Sequence, residues 1–487
     1  MNFARDVVER SQPTARALVE ISREGERRVW SFGDVVERSA KLAGALAASG
    51  VKRGDVVLTL IGNRPEWVFT MVACFRIGAV VLPCTEQLRA DDLRLRIEAV
   101  KPRAVILDER NRAVLEAALG KSTDIAVLAM GEPSAYRGEI PDPVELDPED
   151  PCLITFTSGS AGEPKPVLHA QRYLTGQEVQ AQHWLAPRPG ELVWCTAASG
   201  WSKSARNVFI APWLRGAAGL LHDARFDPQE RLEILSSEAV NVLCMAPTEY
   251  RMIAKRATLK RFGALRGLVA AGEALNPEVL YAWREATGLE VRDGYGQTET
   301  GQMTANPPGQ PSCAGSMGQA LPGVRMWVKD GELVVDPASV PTFFLGYLGQ
   351  EPRERSLPWH TGDRVSEQDG YFFFQGRIDD VIISAGYRIG PFEVESALLS
   401  HPSVADVAVV GAPDEERGSV VRAVVVLRAG FVPSPTLAVD LQDHVKGLTA
   451  PYKYPRIVEF REELPKTSSG KIRRASLRSE PLLTPSE

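Results

Sequence analysis

Short apolar runs recur along the chain, and the segments between them repeat their apolar positions at helical spacing. The runs cover residues 56–61, 79–82, 104–107, 153–156, 192–195, 242–245 and 267–271, and the more polar 291–296 follows the last of them. Each run has strand length and is almost wholly apolar, as strands buried on both faces are. Between them, Ser31-Phe32-Gly33-Asp34 opens a helix through Val35, Ala40, Leu42 and Leu46 that closes near Gly50 and Gly54. A second helix starts at Arg64-Pro65-Glu66 and carries Trp67, Phe69, Met71, Val72 and Phe75. A third starts at Asp91-Asp92, and a fourth covers 203–214. Strands alternating with helices predict a doubly wound sheet, with ligands received at the carboxyl ends of its strands. Several strands do end in small or polar residues: Thr196 to Trp201, Ala246-Pro247-Thr248, and Gly272-Glu273-Ala274. Residues 136–150 are rich in Pro, Asp and Glu and read as a surface linker.

The texture changes near Gly315. Residues 324–328 and 332–335 flank Lys329-Asp330-Gly331, and 371–374 follow Asp369-Gly370. Both are Asp-Gly hairpin signals and predict a small antiparallel subdomain. Beyond Gly376, helical patterns at 393–399 and 437–446 alternate with strand patterns at 404–410 and 420–427. That is a compact α+β domain of about a hundred residues. The fold class is thus α/β: a large N-terminal domain of doubly wound mixed sheets with a small antiparallel β subdomain, then a small α+β C-terminal domain.

Composition bounds this picture without changing it. A chain of 487 residues is long enough for about three units. The net charge of −6 gives no reason to expect a nucleic-acid partner. Six scattered cysteines with no C-x-x-C pair read as core thiols in a reducing compartment, and the six histidines lack metal-ligand spacing. No run is long enough to span a membrane, and MNFARDVVERSQ lacks a signal-peptide apolar core. A cytoplasmic protein is expected.

The chemistry concentrates at 153–169, LITFTSGSAGEPKPVLH. A buried strand runs into glycines, hydroxyls and a lysine, which suits an anion: backbone N–H groups can approach it, and Lys165 adds charge. An ordinary Gly/Ser turn between two strands explains the same residues equally well. The Walker pattern is absent, because Glu163-Pro164-Lys165 follows Gly162.

Taken with six further stretches in order, the loop resembles the phosphate loop of the adenylate-forming superfamily of acyl-CoA synthetases, luciferases and nonribosomal adenylation domains. The loop is Thr157-Ser158-Gly159-Ser160-Ala161-Gly162-Glu163-Pro164-Lys165. The others are Ala271-Gly272-Glu273-Ala274-Leu275-Asn276, Tyr295-Gly296-Gln297-Thr298-Glu299-Thr300, Thr361-Gly362-Asp363, Gly376-Arg377-Ile378-Asp379-Asp380, Ser384-Ala385-Gly386-Tyr387-Arg388, and Pro465-Lys466-Thr467-Ser468-Ser469-Gly470-Lys471-Ile472. The wording around Gly200-Trp201-Ser202-Lys203-Ser204 and Gly386 to Glu395 is most similar to the medium-chain acyl-CoA synthetase branch.

The resemblance implies two half-reactions that use ATP, Mg²⁺ and CoA. A carboxylate attacks the α-phosphorus of ATP, giving acyl-AMP and pyrophosphate; the CoA thiolate then displaces AMP. It implies that Thr157, Ser158, Gly159, Ser160 and Lys165 hold the β- and γ-phosphates. Gly272, Glu273, Ala274, Asp293, Gly294 and Tyr295 form the adenine slot, flanked by Gly296 and Gln297. Thr298 touches the α-phosphate, Glu299 ligates Mg²⁺, Asp363 receives the ribose, and Arg377 faces ribose or phosphate. Lys471 is the implied adenylation lysine, although beside Lys466, Arg473 and Arg474 it also reads as a solvated lysine in a basic tail. Asp379 is the implied hinge, within 377–380, between an adenylation core of 1–376 and a mobile C-terminal domain of 381–487. Gly386, Tyr387, Arg388 and Lys453 are implied for CoA. His360 receives no role. Two departures stand out: Ala161 replaces a usual hydroxyl, and the family's leading segment is shortened.

For the acid, Gly296 replaces the tryptophan that closes the pocket in acetate-activating relatives, so an acyl group larger than acetate is expected. Trp201, Lys203, Phe209, Ala270, Gly301, Gln302 and Met303 are candidate walls, with core packing an equal account of Trp201 and Phe209. Partners are then a carboxylic acid and CoA, with an acyl carrier protein as the alternative acceptor, and the chain is a monomer or homodimer. A non-catalytic nucleotide-binding protein is the reading from another class.

Overall fold

The computed structural model describes residues 1–120, 124–131, 138–157, 164–273, 277–385, 387–467 and 471–480. They divide into two compact units: 1–157, 165–325 and 336–358 form one, and 326–335 and 359–487 belong to the other. Ser158, Gly159, Ser160, Ala274 and Gly386 lie outside the described residues, as does the side chain of Arg388.

The first unit is built on two seven-stranded sheets. One runs, in spatial order, Gly346–Tyr347, Pro166–Ala170, Pro151–Phe156, Val80–Cys84, Val56–Leu60, Ala104–Leu107, Ala126–Ala129. The other runs Val291–Gly294, Gly267–Ala271, Val242–Met245, Leu192–Cys195, Ala218–His222, Arg16–Ile21, Arg27–Ser31. The apolar runs are buried on both faces, as their continuity predicts. Val193 and Cys195 join the cluster that contains Val57, Val81 and Leu153, whereas Leu192 and Trp194 join a separate cluster on the other side.

Helix ends follow local chemistry. Ser31 caps the helix Phe32–Ala48 with a capping box to Asp34, a device worth about 1 kcal/mol. Pro65 starts Pro65–Ile77, and Gly78 closes it at φ 70°. The helix expected over 203–214 is present but broken in kind. Ser202–Ala205 and Ala211–Leu214 are α-helical, and Arg206–Ile210 between them is a π-helical turn.

The sheets are mixed, as expected: Pro151–Phe156 and Pro166–Ala170 are antiparallel neighbours, Phe156 pairing with Pro166. The segment expected as a surface linker is one over residues 138–150, without helix or strand and mostly exposed; it is fastened at buried Leu146 and at Val144, whose N donates to Arg76 O and whose O accepts from Asn2 Nδ2.

The second unit holds an antiparallel sheet of Met326–Lys329, Glu332–Val335, Trp359–Gln368 and Tyr371–Arg377. Both Asp-Gly hairpins form: Asp330 and Gly331, and Asp369 and Gly370, all have positive φ, as a two-residue type I′ turn requires. Then come Val404–Asp414, Gly418–Leu427 and Ile457–Phe460 in one sheet, with helices Pro391–Leu399 and Pro435–Leu448.

Candidate active site

The parallel strands of the second sheet end together and carry the predicted nucleotide residues to one edge. Ala270 pairs with Asp293 and Ala271 with Gly294, and Met245 lies beside Ala270. Gly272, Glu273, Asp293 and Gly294 are thus neighbours. Lys203 Nζ donates to Ala271 O at 3.1 Å, and Thr248 Oγ1 donates to Glu273 Oε2 at 2.6 Å. Burial pushes the Asp293 carboxyl up to about 8, against the opposing pull of the Gly294 N–H and the Lys203 charge. This carboxyl is a proton carrier near neutral pH rather than a fixed anion.

From Tyr295 the chain folds back on itself. Gly296 pairs with Gln302 and Gln297 with Gly301, which sets Thr298 and Glu299 at the tip. Tyr295 O accepts from Met303 N at 2.8 Å. The approach at Gly296 is very close: a Cβ there would lie 1.9 Å from Gly301 O. Gly296 is therefore demanded by backbone contact, and the direction of its missing side chain is filled. The sequence argument that this glycine leaves acyl volume open does not hold at this position.

Tyr347, which the sequence reading missed, joins two predicted groups. Its hydroxyl donates to Glu299 Oε1 at 2.8 Å, and Lys165 Nζ sits 5.2 Å from its ring centroid, within cation–π range. Tyr347 reaches this place because it pairs with Val167, two residues after Lys165. Nothing local in the sequence signals it. Thr157 N donates to Lys165 O and Lys165 N to Thr157 Oγ1, both at 3.0 Å, which closes the mouth of the loop.

The proposed acyl walls divide. Phe209 is fully buried, 5.9 Å from the Trp67 ring and 4.9 Å from Trp213, so core packing accounts for it. Ala270 and Met303 are also fully buried, and Gln302 Nε2 donates to Thr304 O at 3.0 Å. Gly301 has φ 69° and packs on Thr342. Trp201 is half-buried, and its indole N–H has no partner.

In the second unit, Asp363 is buried and pairs across the strands with Arg377. Arg377 Nη1 donates to Asp363 Oδ1 at 3.1 Å and to Thr361 O at 3.0 Å, and Nε donates to Asp379 Oδ1 at 3.3 Å. Burial works against its charge, but Asp363 and Asp379 outweigh that and raise its pKa. Lys471 is half-buried, and its carbonyl oxygen accepts from Thr467 N at 2.7 Å. Tyr387 stacks on Tyr452 with centroids 4.3 Å apart. Lys453 Nζ is engaged by Glu393, so its assignment to a CoA phosphate requires that pair to open. His360 pairs with Glu332 at 2.7 Å. Cys74, Cys84, Cys152, Cys195 and Cys244 are buried free thiols, as expected, and Cys313 is partly exposed. Among the described residues no helix is long and apolar enough to cross a membrane.

Two seven-stranded sheets with helices between their strands thus carry a cation, Lys165, and a carboxylate, Glu299, to either side of Tyr347. The chain belongs to the AMP-binding enzyme family, which matches residues 5–347, with the family's C-terminal domain matching 393–471. It is 39% identical to the human mitochondrial acyl-coenzyme A synthetase ACSM4, over 98% of this chain and 90% of that protein. It is likewise 39% identical to the uncharacterized acyl–CoA ligase YtcI of Bacillus subtilis, over 95% and 92%. The crystal structure of the anthranilate CoA ligase AuaEII in complex with anthranoyl-AMP superposes with a TM-score of 0.88 at 27% identity, covering 98% of this chain and 97% of that one.

Proposed function

We propose that this protein is an AMP-forming acid–CoA ligase, which activates a carboxylic acid with ATP and passes the acyl group to CoA. The observation that carries this reading is Tyr347, which gathers Lys165 and Glu299 at the mouth of the loop. A cation and a carboxylate held by one side chain suit a triphosphate and its metal. Mg²⁺ is usually held by one or two carboxylates plus substrate phosphates, and Glu299 fits that need. The ion would neutralise phosphate charge as pyrophosphate departs.

In the proposed division of labour, Thr157, Ser158, Gly159, Ser160 and Lys165 hold the β- and γ-phosphates. Gly272, Glu273, Ala274, Asp293, Gly294 and Tyr295 receive the adenine, and Asp363 the ribose. The incoming carboxylate attacks the α-phosphorus, and Thr298 and Lys471 offset the charge that gathers there. Arg377 also pins Asp363, its Nη1 donating to Asp363 Oδ1. For the second step we propose residues 1–376 as the adenylation core and 381–487 as a mobile domain turning at Asp379. The turn exchanges Lys471 for Gly386, Tyr387 and Arg388. The CoA thiolate then attacks the acyl carbon, and AMP leaves. Five buried free thiols support a reducing compartment such as the cytoplasm.

The test incubates the protein with ATP, Mg²⁺ and CoA across acids from acetate to bulky aromatics, following pyrophosphate and thioester together. Acyl-CoA from a subset of acids supports the ligase. Pyrophosphate without thioester redirects the acceptor to a carrier protein, and neither product from any acid refutes the proposal.

A further inference from the structure

The helical segment after Trp201 carries a charge that the described residues leave unmatched. Arg206 is only 5% exposed. Its Nε and Nη1 have no hydrogen-bond partner, and no carboxylate among the described residues pairs with it. Buried guanidinium groups are ordinarily paired, because an uncompensated charge out of water is strongly destabilising.

Among the described residues its surroundings supply hydroxyl and neutral imidazole groups and no anion. Tyr173, fully buried, lies against both Arg206 and Ser202. His169, also fully buried, packs on Tyr173 with ring centroids 4.1 Å apart, and neither of its nitrogens has a partner. Burial, with the charges of Arg206 and Arg172, pushes the His169 pKa down to about 3, so the ring is neutral. The Trp201 indole N–H is unpartnered as well, and the Ser202 hydroxyl faces Tyr173. Natural interiors leave few such groups unmet, and a cluster of them calls for an explanation. Arg206 also begins the π-helical turn Arg206–Ile210, and π turns frequently mark functional positions.

The cluster adjoins the nucleotide edge. Lys203, one helical turn before Arg206, reaches Ala271 O beside Gly272; three residues of helix span about 5 Å. A group a few bonds from a reacting carboxyl at that edge would fall beside Arg206.

We propose that the acid this enzyme activates carries a second carboxylate, remote from the reacting one, and that Arg206 receives it with Ser202 and His169. This rests on the ligase reading and names its substrate class. A plain alkyl chain would leave the guanidinium unpaired and stripped of water. A neutral acceptor would fill hydrogen bonds but not the charge. A carboxylate does both, through two parallel N–H···O bonds. Sites built around buried polar groups discriminate strongly against analogues that leave them unpaired.

The experiment compares chain-matched pairs on the full-length protein: hexanedioate against hexanoate, and benzene-1,3-dicarboxylate against benzoate. The readout is kcat/KM for ATP-dependent pyrophosphate release. Wild type should prefer a diacid at least about tenfold in one pair. Arg206→Met should abolish that preference, and Arg206→Lys should restore part of it. Without any acid, Arg206→Met should unfold at a higher temperature than wild type, because an unpaired charge has been removed. A wild-type preference for the plain acids, or a diacid preference that survives Arg206→Met, overturns the inference and leaves the ligase intact. A drop in unfolding temperature, or failure to fold, shows Arg206 to be structurally paired and also overturns it. No pyrophosphate with any acid, in these pairs or in the wider panel, refutes the ligase reading and this inference together.

Discussion

Replacing Gly296 with alanine asks whether this hairpin's geometry is fixed by backbone contact. A Cβ on residue 296 would sit 1.9 Å from Gly301 O and 2.9 Å from Gln302 Cα, where real Cβ contacts stay beyond 3.0 Å. The strands must part by more than 1 Å to admit it. That opens the Gly296–Gln302 and Gln297–Gly301 pairs. Unmaking one or two buried backbone hydrogen bonds costs about 1–6 kcal/mol. The same movement displaces Thr298 and Glu299, and a 1 Å misplacement of reacting groups costs on the order of 100-fold in rate. Gly296→Ala should therefore lower both stability in denaturant and the rate of pyrophosphate release at saturating ATP. Gly263→Ala is the control, since nothing lies within 4 Å of its Cβ position and its φ is not left-handed; it should be neutral or slightly stabilising. If Gly296→Ala matches wild type in both assays, the hairpin is free to open and the reasoning from close contact is wrong.

Three other outcomes are expected. Lys471→Ala should lower adenylation at least about 100-fold while thioester formation from supplied acyl-AMP persists; equal loss of both steps counts against its assigned role. Tyr347→Phe removes the hydroxyl that positions Glu299 and should raise the Mg²⁺ needed for half-maximal rate about tenfold; an unchanged requirement would separate Glu299 from the metal. Asp293 ionises near 8 when folded but near its ordinary 3.8 when unfolded. Between those values only the folded state keeps the proton, so stability falls as pH rises, by at most about 1.4 kcal/mol per pH unit. Relative to Asp293→Asn, wild type should lose stability between pH 5 and 7, and a flat difference would mean that the carboxyl is already charged.

By itself the sequence determined whatever short-range chemistry controls. The central strands were legible because they are continuous apolar runs, and Phe32–Ala48 because Ser31 and Asp34 cap it. The hairpins at 330 and 369 were legible because Asp-Gly favours two successive positive φ values. The edge strand Arg27–Ser31 was missed, because its exposed Arg27, Arg28 and Val29 hide the apolar signal, and so was Arg16–Ile21 beside it, whose apolar run is only three residues long. The order of the motifs also set the family, and with it the residues expected to meet the nucleotide at the strand ends. Only the tertiary structure decided which distant groups meet. Tyr347 carries no local mark, and pairing with Val167 brings it to Lys165 and Glu299. Gly296 reads as open space in the sequence and as a backbone contact in the fold. Arg206 looks like any helical arginine until the described residues around it are found to hold no anion. Conformational preference belongs to neighbouring residues, but contact and the matching of a buried charge belong to whatever the folded chain places around them.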